Sequence, residues 1–105
     1  GRPTFTSDLA DGIAHLLGSR APYGTYNLTN GGEPASWADV AAAVFEARGR
    51  SADDVGRTST EQYFADKPRA AARPRNGVLD LSKIAATGFT PRDWRPALAE
   101  YLATI

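Results

Sequence analysis

The chain has 105 residues, 42% of them hydrophobic, and 12 Lys plus Arg balance 12 Asp plus Glu. That is one domain's worth of chain with no net charge, which excludes a global attraction to nucleic acid or to an anionic membrane. It has no Cys, which excludes a disulfide framework, a thiol nucleophile and Cys-ligated zinc, and fits a reducing compartment.

No apolar run approaches the roughly 20 residues that span a bilayer, and the N-terminus lacks a signal-peptide pattern. The chain contains no Met and opens on GRPT, so it reads as a piece cut from a longer protein. Residues 1–105 are expected to form a single domain.

Arg2 to Thr6 begins in extended form. Thr6 or Ser7 is placed to cap a first helix that Asp8 favours through the N-terminal dipole. Leu9, Ile13, Leu16 and Leu17 form the apolar stripe of that helix and Gly18 ends it. His15 falls on the opposite face with Asp8 and Asp11, where a lone imidazole is expected to be solvated.

Tyr23 to Gly49 is the most legible stretch. Tyr26, Leu28 and the β-prone Thr25 and Thr29 predict a short strand. Asn30-Gly31-Gly32 predicts a turn. Ser36 predicts the N-cap of a helix, with Asp39 in the capping-box position. Trp37, Val40, Ala41, Val44 and Phe45 share one helical face, which assigns Trp37 to the core, and Gly49 supplies the stop.

Arg50 to Gly56 is polar and predicts a loop. The adjacent Asp53 and Asp54 lack the further oxygen ligands that a metal site needs at loop spacing. Val55 to Thr60 predicts a second short strand and Glu61 to Phe64 a helical turn. From Lys67 to Arg75 there are four basic residues and no acid, with Pro68 and Pro74 stiffening the backbone. Arginine on a stiff backbone suits an anion, because guanidinium gives two parallel hydrogen bonds to phosphate oxygens. A solvated loop is the plainer alternative.

Val78 to Leu81 predicts a further extended edge. Ser82 is expected to cap a short helix closed by Gly88, and Asp93 a last helix that tolerates Pro96 in its first turn. Trp94, Leu98, Tyr101, Leu102 and Ile105 share its apolar face, which also assigns Trp94 to the core. The sum is a small α/β domain of three to four helices and two to three short parallel strands. It has no Gly-rich phosphate loop after a strand, no Ser/His/Asp set and no metal-ligand spacing.

The order of four blocks carries a resemblance. GRPTFTSDLA, YGTYNLTNGGEPASWADVAAAVFE, ARPRNGVLDLSKIAATGF and DWRPALAEYL together resemble the C-terminal half of dTDP-4-dehydrorhamnose reductases, members of the extended short-chain dehydrogenase/reductase superfamily. The resemblance covers essentially the whole chain. It implies the small C-terminal substrate domain of an NAD(P)-binding Rossmann-type reductase in the cytoplasm. The partners it implies are a dTDP-sugar and an N-terminal Rossmann lobe that binds NADPH or NADH outside this chain and carries a Tyr-x-x-x-Lys pair.

Only Tyr63 and Lys67 have that pair's spacing here, and Pro68 follows where the family has a long helix, so no residue of this chain is assigned as catalytic or cofactor-binding. The resemblance points to Arg73 ahead of the D-x-x-K element Asp80-Leu81-Ser82-Lys83 as the pyrophosphate contact, with Arg75 second. Asn76, Tyr63 and Thr4 are lesser substrate-binding candidates. The resemblance also allows a regulatory or binding module without catalysis. A helical nucleic-acid binder using Lys67 to Arg75 is disfavoured by the zero net charge and the prolines within that tract.

Overall fold

A computed structural model describes residues 1–105 and contains five α-helices: α1 (Thr6–Gly18), α2 (Trp37–Ala47), α3 (Thr60–Tyr63), α4 (Ser82–Ala85) and α5 (Trp94–Leu102). A 3-10 turn, Ala52–Asp54, lies between α2 and α3. The helices number one more than the upper sequence estimate, because the helical turn expected at Glu61 to Phe64 closes as α-helix, α3.

The strands do not form. None of the predicted runs, Thr25 to Thr29, Val55 to Thr60 or Val78 to Leu81, carries a ladder. One parallel bridge joins Gly31 to Asp93, with Gly31 N donating to Arg92 O at 2.8 Å and Trp94 N donating to Gly31 O at 3.1 Å. The physical reason is that β-propensity measures fit to a neighbouring strand, and these runs find no neighbour in the chain. The α/β reading is corrected to helices on an irregular backbone.

The predicted caps hold in α2 and α5. Ser36 Oγ accepts from Asp39 N at 3.1 Å while Asp39 Oδ2 accepts from Ser36 N at 2.9 Å, the reciprocal satisfaction of two free amides that defines a capping box. Gly49, at φ 75°, follows the helix in the left-handed region that glycine enters without cost. Asp93 accepts from Arg95 N at 2.8 Å at the start of α5. Val40, Ala41, Val44 and Phe45 of α2 are half-buried, and α2 packs on the 3-10 turn and on α5. Arg48 closes that contact by donating to the carbonyls of Leu102 and Ile105 at 2.9 and 3.2 Å.

Two other caps differ from expectation. Phe5, without a side-chain acceptor, occupies the N-cap of α1, and Thr6 is the first helical residue. Ser82 is likewise inside α4, and Asp80 Oδ1 accepts the Ser82 N–H at 2.8 Å. Gly18 also lies inside α1. The chain leaves that helix through Arg20 at φ 54°, the one non-glycine residue in the left-handed region.

The core is small: seven of 105 residues are buried. Trp94, Ala97 and Leu98 of α5 and Ile84 of α4 form its apolar part, joined by Asn30 and the glycines Gly12 and Gly31. The radius of gyration is 16.4 Å, against about 13 Å for a compact domain of this length. The shape is an open lobe, 46 × 36 × 21 Å.

Asn30 is the polar centre of this core, at 1% exposure. Its Oδ1 accepts from Phe5 N at 2.9 Å, and its Nδ2 donates to Asp8 Oδ2 at 2.9 Å and to Arg92 O at 3.3 Å. One amide therefore joins the N-terminal segment, α1 and the approach to α5, and all its bonds compensate its burial. Arg92 extends the network by donating to Asp8 Oδ1 at 2.6 Å and to Glu100 at 2.8 Å. Burial alone would raise the Asp8 carboxyl, but hydrogen bonds from Arg92 and Asn30 outweigh it and hold it below its usual value.

α1 packs through its polar side, which reverses two expectations. Gly12 is its buried residue, and a Cβ there would run into Leu28 and, at 3.4 Å, into Phe89. His15 is half-buried, not solvated. Its Nε2 lies 3.0 Å from Thr87 O and 3.1 Å from Thr87 Oγ1, and its ring is tilted against Phe89 at 5.5 Å between centres. Much of the predicted apolar stripe faces outward, with Ile13 50% and Leu17 76% exposed, while Leu16 is half-buried.

Candidate functional site

Two concavities stand out. A groove of about 710 Å³ at the C-terminal end of α1 is lined by Leu16, Leu17, Arg20 and the turn through Tyr23 to Tyr26. It is mostly apolar and offers one charge, Arg20. The second, about 890 Å³, opens between the first turn of α2 and the segment from Val55 to Arg75. Four arginines line it, Arg2, Arg57, Arg73 and Arg75, and no acidic residue does. Convergent donors within a partly apolar cleft make the second the candidate site.

The surrounding elements set the state of each guanidinium. Arg2 is held by backbone, with Nε donating to Gly32 O at 2.8 Å and Nη1 to Leu79 O at 3.2 Å. Arg57 pairs with Asp39 at 2.9 Å. The Ser36 backbone N–H, then the Arg57 guanidinium and the Ser36 hydroxyl, hold the Asp39 carboxyl down at about 2. Asp39 thus caps α2 and anchors Arg57 at the cleft wall.

Arg75 pairs with Glu61 at 3.4 Å. Arg73 has no carboxylate partner. Its guanidinium carbon lies 4.3 Å from the Phe64 ring centre, and only Nη1 is engaged, donating to Ala71 O at 2.9 Å. Stacking on Phe64 orients the group while leaving Nε and Nη2 free to bind an anion.

Of the residues singled out from the sequence, Arg73, Arg75 and Tyr63 line one cleft. Asn76 and Thr4 do not line it. Asn76 is exposed and accepts from Val78 N at 3.1 Å through Oδ1, a local turn contact. Thr4 is exposed in the N-terminal segment.

Tyr63 and Lys67 contact each other within the chain. Lys67 Nζ lies 4.5 Å from the Tyr63 ring centre and donates to the Tyr63 carbonyl at 3.3 Å, capping the end of α3. Lys83 of the D-x-x-K element turns away, donating to Thr25 O at 2.8 Å and resting 4.7 Å from the Tyr26 ring centre.

Trp37 is the largest departure. The helical face assigns it to the core, but it is 84% exposed and lines the cleft. The assignment fails because Trp37 is the first residue of α2, where the apolar stripe begins and the body of the domain does not reach. Arg57 is a second lining residue that spacing did not single out. Its only signal is an acid, Asp39, in a distant helix, and linear spacing does not register such a contact.

No three His, Asp or Glu side chains gather to hold a metal ion. Asp53 and Asp54 lie in the 3-10 turn, where Ser51 Oγ accepts from Asp53 N at 3.1 Å. No helix is long and apolar enough to cross a membrane.

The sequence matches the RmlD substrate binding domain over residues 1–105. It is 42% identical over 105 residues to a dTDP-4-dehydrorhamnose reductase of Streptomyces griseus, covering 95% of this chain and 33% of that protein. It is 38% identical to the spore coat polysaccharide biosynthesis protein SpsK of Bacillus subtilis (strain 168), covering 97% of this chain and 33% of that one. A dTDP-4-dehydrorhamnose reductase of Aggregatibacter actinomycetemcomitans is 38% identical, with 93% and 35% covered. The chain spans about a third of the length of these relatives. With the family matched from the first residue to the last, the chain belongs to the RmlD substrate-binding domain family.

Proposed function

We propose that residues 1–105 form the nucleotide-sugar-binding lobe of a dTDP-4-dehydrorhamnose reductase, which reduces the C4 ketone of dTDP-4-dehydro-L-rhamnose to dTDP-L-rhamnose. The observation that carries this reading is Arg73, oriented on Phe64 in a cleft lined by four arginines, without a carboxylate partner and with two donor nitrogens unclaimed. The diphosphate is assigned to Arg73, with Arg75 and Arg57, both tied to carboxylates, as secondary charges. Tyr63 borders the same space.

The reaction needs a hydride at C4 and a proton on the developing oxyanion. We assign both to a Rossmann lobe outside this chain, with NADPH or NADH as hydride donor. Residues 1–105 do not fit a dinucleotide. The one glycine turn before a long helix, Asn30-Gly31-Gly32, packs on its own chain: a Cβ on Gly31 would meet Pro91 O at 2.6 Å, and one on Gly32 would meet Asp93 Oδ1 at 2.7 Å. The outward face of α1, with Ile13 and Leu17, is the surface we assign to that lobe. The setting proposed is cytoplasmic, consistent with a Cys-free chain.

The test is Arg73→Ala in a full-length reductase that contains this chain. Loss of a charge-assisted contact of about 1.5–3 kcal/mol raises KM for the dTDP-sugar about 10- to 150-fold and leaves KM for the cofactor unchanged. An unaltered substrate KM removes Arg73 from the site. The 105-residue chain alone is expected to oxidise no NADPH in the presence of the sugar nucleotide.

A further inference from the structure

The cleft presents three aromatic rings, and two of them are already occupied. Tyr63 has Lys67 Nζ at 4.5 Å from its ring centre and meets Phe64 edge-on at 4.9 Å. Phe64 carries the Arg73 guanidinium at 4.3 Å. Trp37 differs from both. No ring or cation of the chain lies against it, its Nε1 donates to nothing, and it is 84% exposed. The other tryptophan is the control, because Trp94 is fully buried and its Nε1 donates to Glu33 O at 2.8 Å.

An exposed indole on a rigid helix start, in the same cleft as unclaimed guanidinium donors, is a stacking platform for a flat heteroaromatic ring. Such stacking is tolerant of base identity because every base has a π-face. Its position is fixed by the Ser36/Asp39 capping box one residue away. The Asp39–Arg57 pair places a second cation beside the same turn.

We propose that Trp37 is the residue that binds the nucleobase of the nucleotide ligand, stacking on it while Arg73 takes the phosphates. This rests on the reading of the cleft given above and adds to it where the base goes and which side chain holds it. The wall formed by α3 and the basic loop holds charge, and the α2 wall holds the base. Trp37 then contributes to affinity for nucleosides and nucleotides and nothing to affinity for inorganic pyrophosphate.

The test uses the two tryptophans as separate reporters in the 105-residue chain. Thymidine diphosphate and inorganic pyrophosphate are titrated into the wild type, Trp37→Leu and Trp37→Phe, with binding read by calorimetry and by indole emission. Because Trp37 is exposed, both variants keep the blue-shifted emission of buried Trp94, which reports that the fold is intact.

The expected result is quenching of the red, solvent-exposed emission by thymidine diphosphate and not by pyrophosphate. Trp37→Leu is expected to weaken thymidine diphosphate about 5-fold or more, by loss of one base–aromatic stack, with pyrophosphate unchanged and Trp37→Phe recovering part of the loss. Equal thymidine diphosphate affinity in wild type and Trp37→Leu overturns the assignment of the base to Trp37 and leaves the phosphate reading standing. Binding of neither ligand to the wild type overturns both.

Discussion

Trp37 and Trp94 start from the same local position and end in opposite environments. Each is the first residue of a helix, each follows a capping side chain, Ser36 or Asp93, and each heads an apolar stripe. Trp94 is fully buried and Trp37 is 84% exposed. What separates them is the backbone that comes to meet each indole. Asn30-Gly31-Gly32 runs against the start of α5, bridged to it at Gly31 and Asp93, and brings Glu33 O to the Trp94 indole nitrogen. The start of α2 meets only the rim of the cleft. Burial of a large side chain is thus decided by the segment that arrives opposite it, and the indole left open lines the candidate cleft.

The sharpest way to break this contrast is truncation at both positions. Trp94→Ala is expected to cost about 3–5 kcal/mol, the range for deleting a buried aromatic. Trp37→Ala is expected to fall within about 0.5 kcal/mol of wild type, as for a surface position. Urea unfolding followed by far-ultraviolet circular dichroism measures both. Equal losses would show that the Trp37 side chain is covered in solution.

Asn30 tests the buried side of the comparison next. Asn30→Ala leaves Phe5 N without its acceptor and removes a donor from the Asp8 carboxylate. Stranding such groups is expected to cost about 2–4 kcal/mol in the same unfolding experiment.

The same network sets an acid limit. The Asp8 carboxyl lies below its unfolded value, so its contribution is complete above about pH 4 and is lost as pH falls through the lower folded value. Asp8→Asn is expected to reduce stability near neutrality and to flatten the acid limb of a stability–pH profile. An acid limb as steep as that of wild type would assign it to other carboxylates.

The smallest contrast lies within α1. Gly12→Ala places a methyl against Leu28 and Phe89, and overpacking of about 1–3 kcal/mol, offset by about 1 kcal/mol of helix propensity, is expected to leave a net cost of about 1–2 kcal/mol. Ile13→Ser, one residue on, is expected to change the stability of this chain by less than about 0.5 kcal/mol. Comparable losses at the two positions would mean that the apolar stripe, and not the Gly12 side, faces the domain.

These pairs also show how far the sequence could be read. The Ser36/Asp39 box, the Asp93 cap and the glycine stops at Gly49 and Gly88 were legible, because each is an interaction between residues at most a few positions apart. The assignment of α1 was not. A period of 3.6 identifies an apolar stripe but not the partner that covers it, and in this chain Asp8, Gly12 and His15 meet the domain instead. The predicted strands failed for the same reason, since a ladder needs a second backbone of matching reach. Of the residues around the candidate cleft, Arg73 and Arg75 were named through the family resemblance, from their place ahead of the D-x-x-K element. Arg57 and Trp37 were not, because nothing local marks a side chain that faces a cleft.

The sequence by itself determined the helix boundaries with local caps, the basic and proline-stiffened segment, and the family to which the chain belongs. The tertiary structure alone decided which tryptophan is core, which face of α1 is packed, and which cleft arginines are tied to carboxylates. The Ser36/Asp39 and Asp93 caps close through bonds between near neighbours, so spacing locates them, whereas α1 and α4 each start at a residue without a capping side chain and escaped it. Burial and ion pairing join residues far apart along the chain, 62 positions for Asn30 and Arg92 and 18 for Asp39 and Arg57, and only the folded chain brings those partners together.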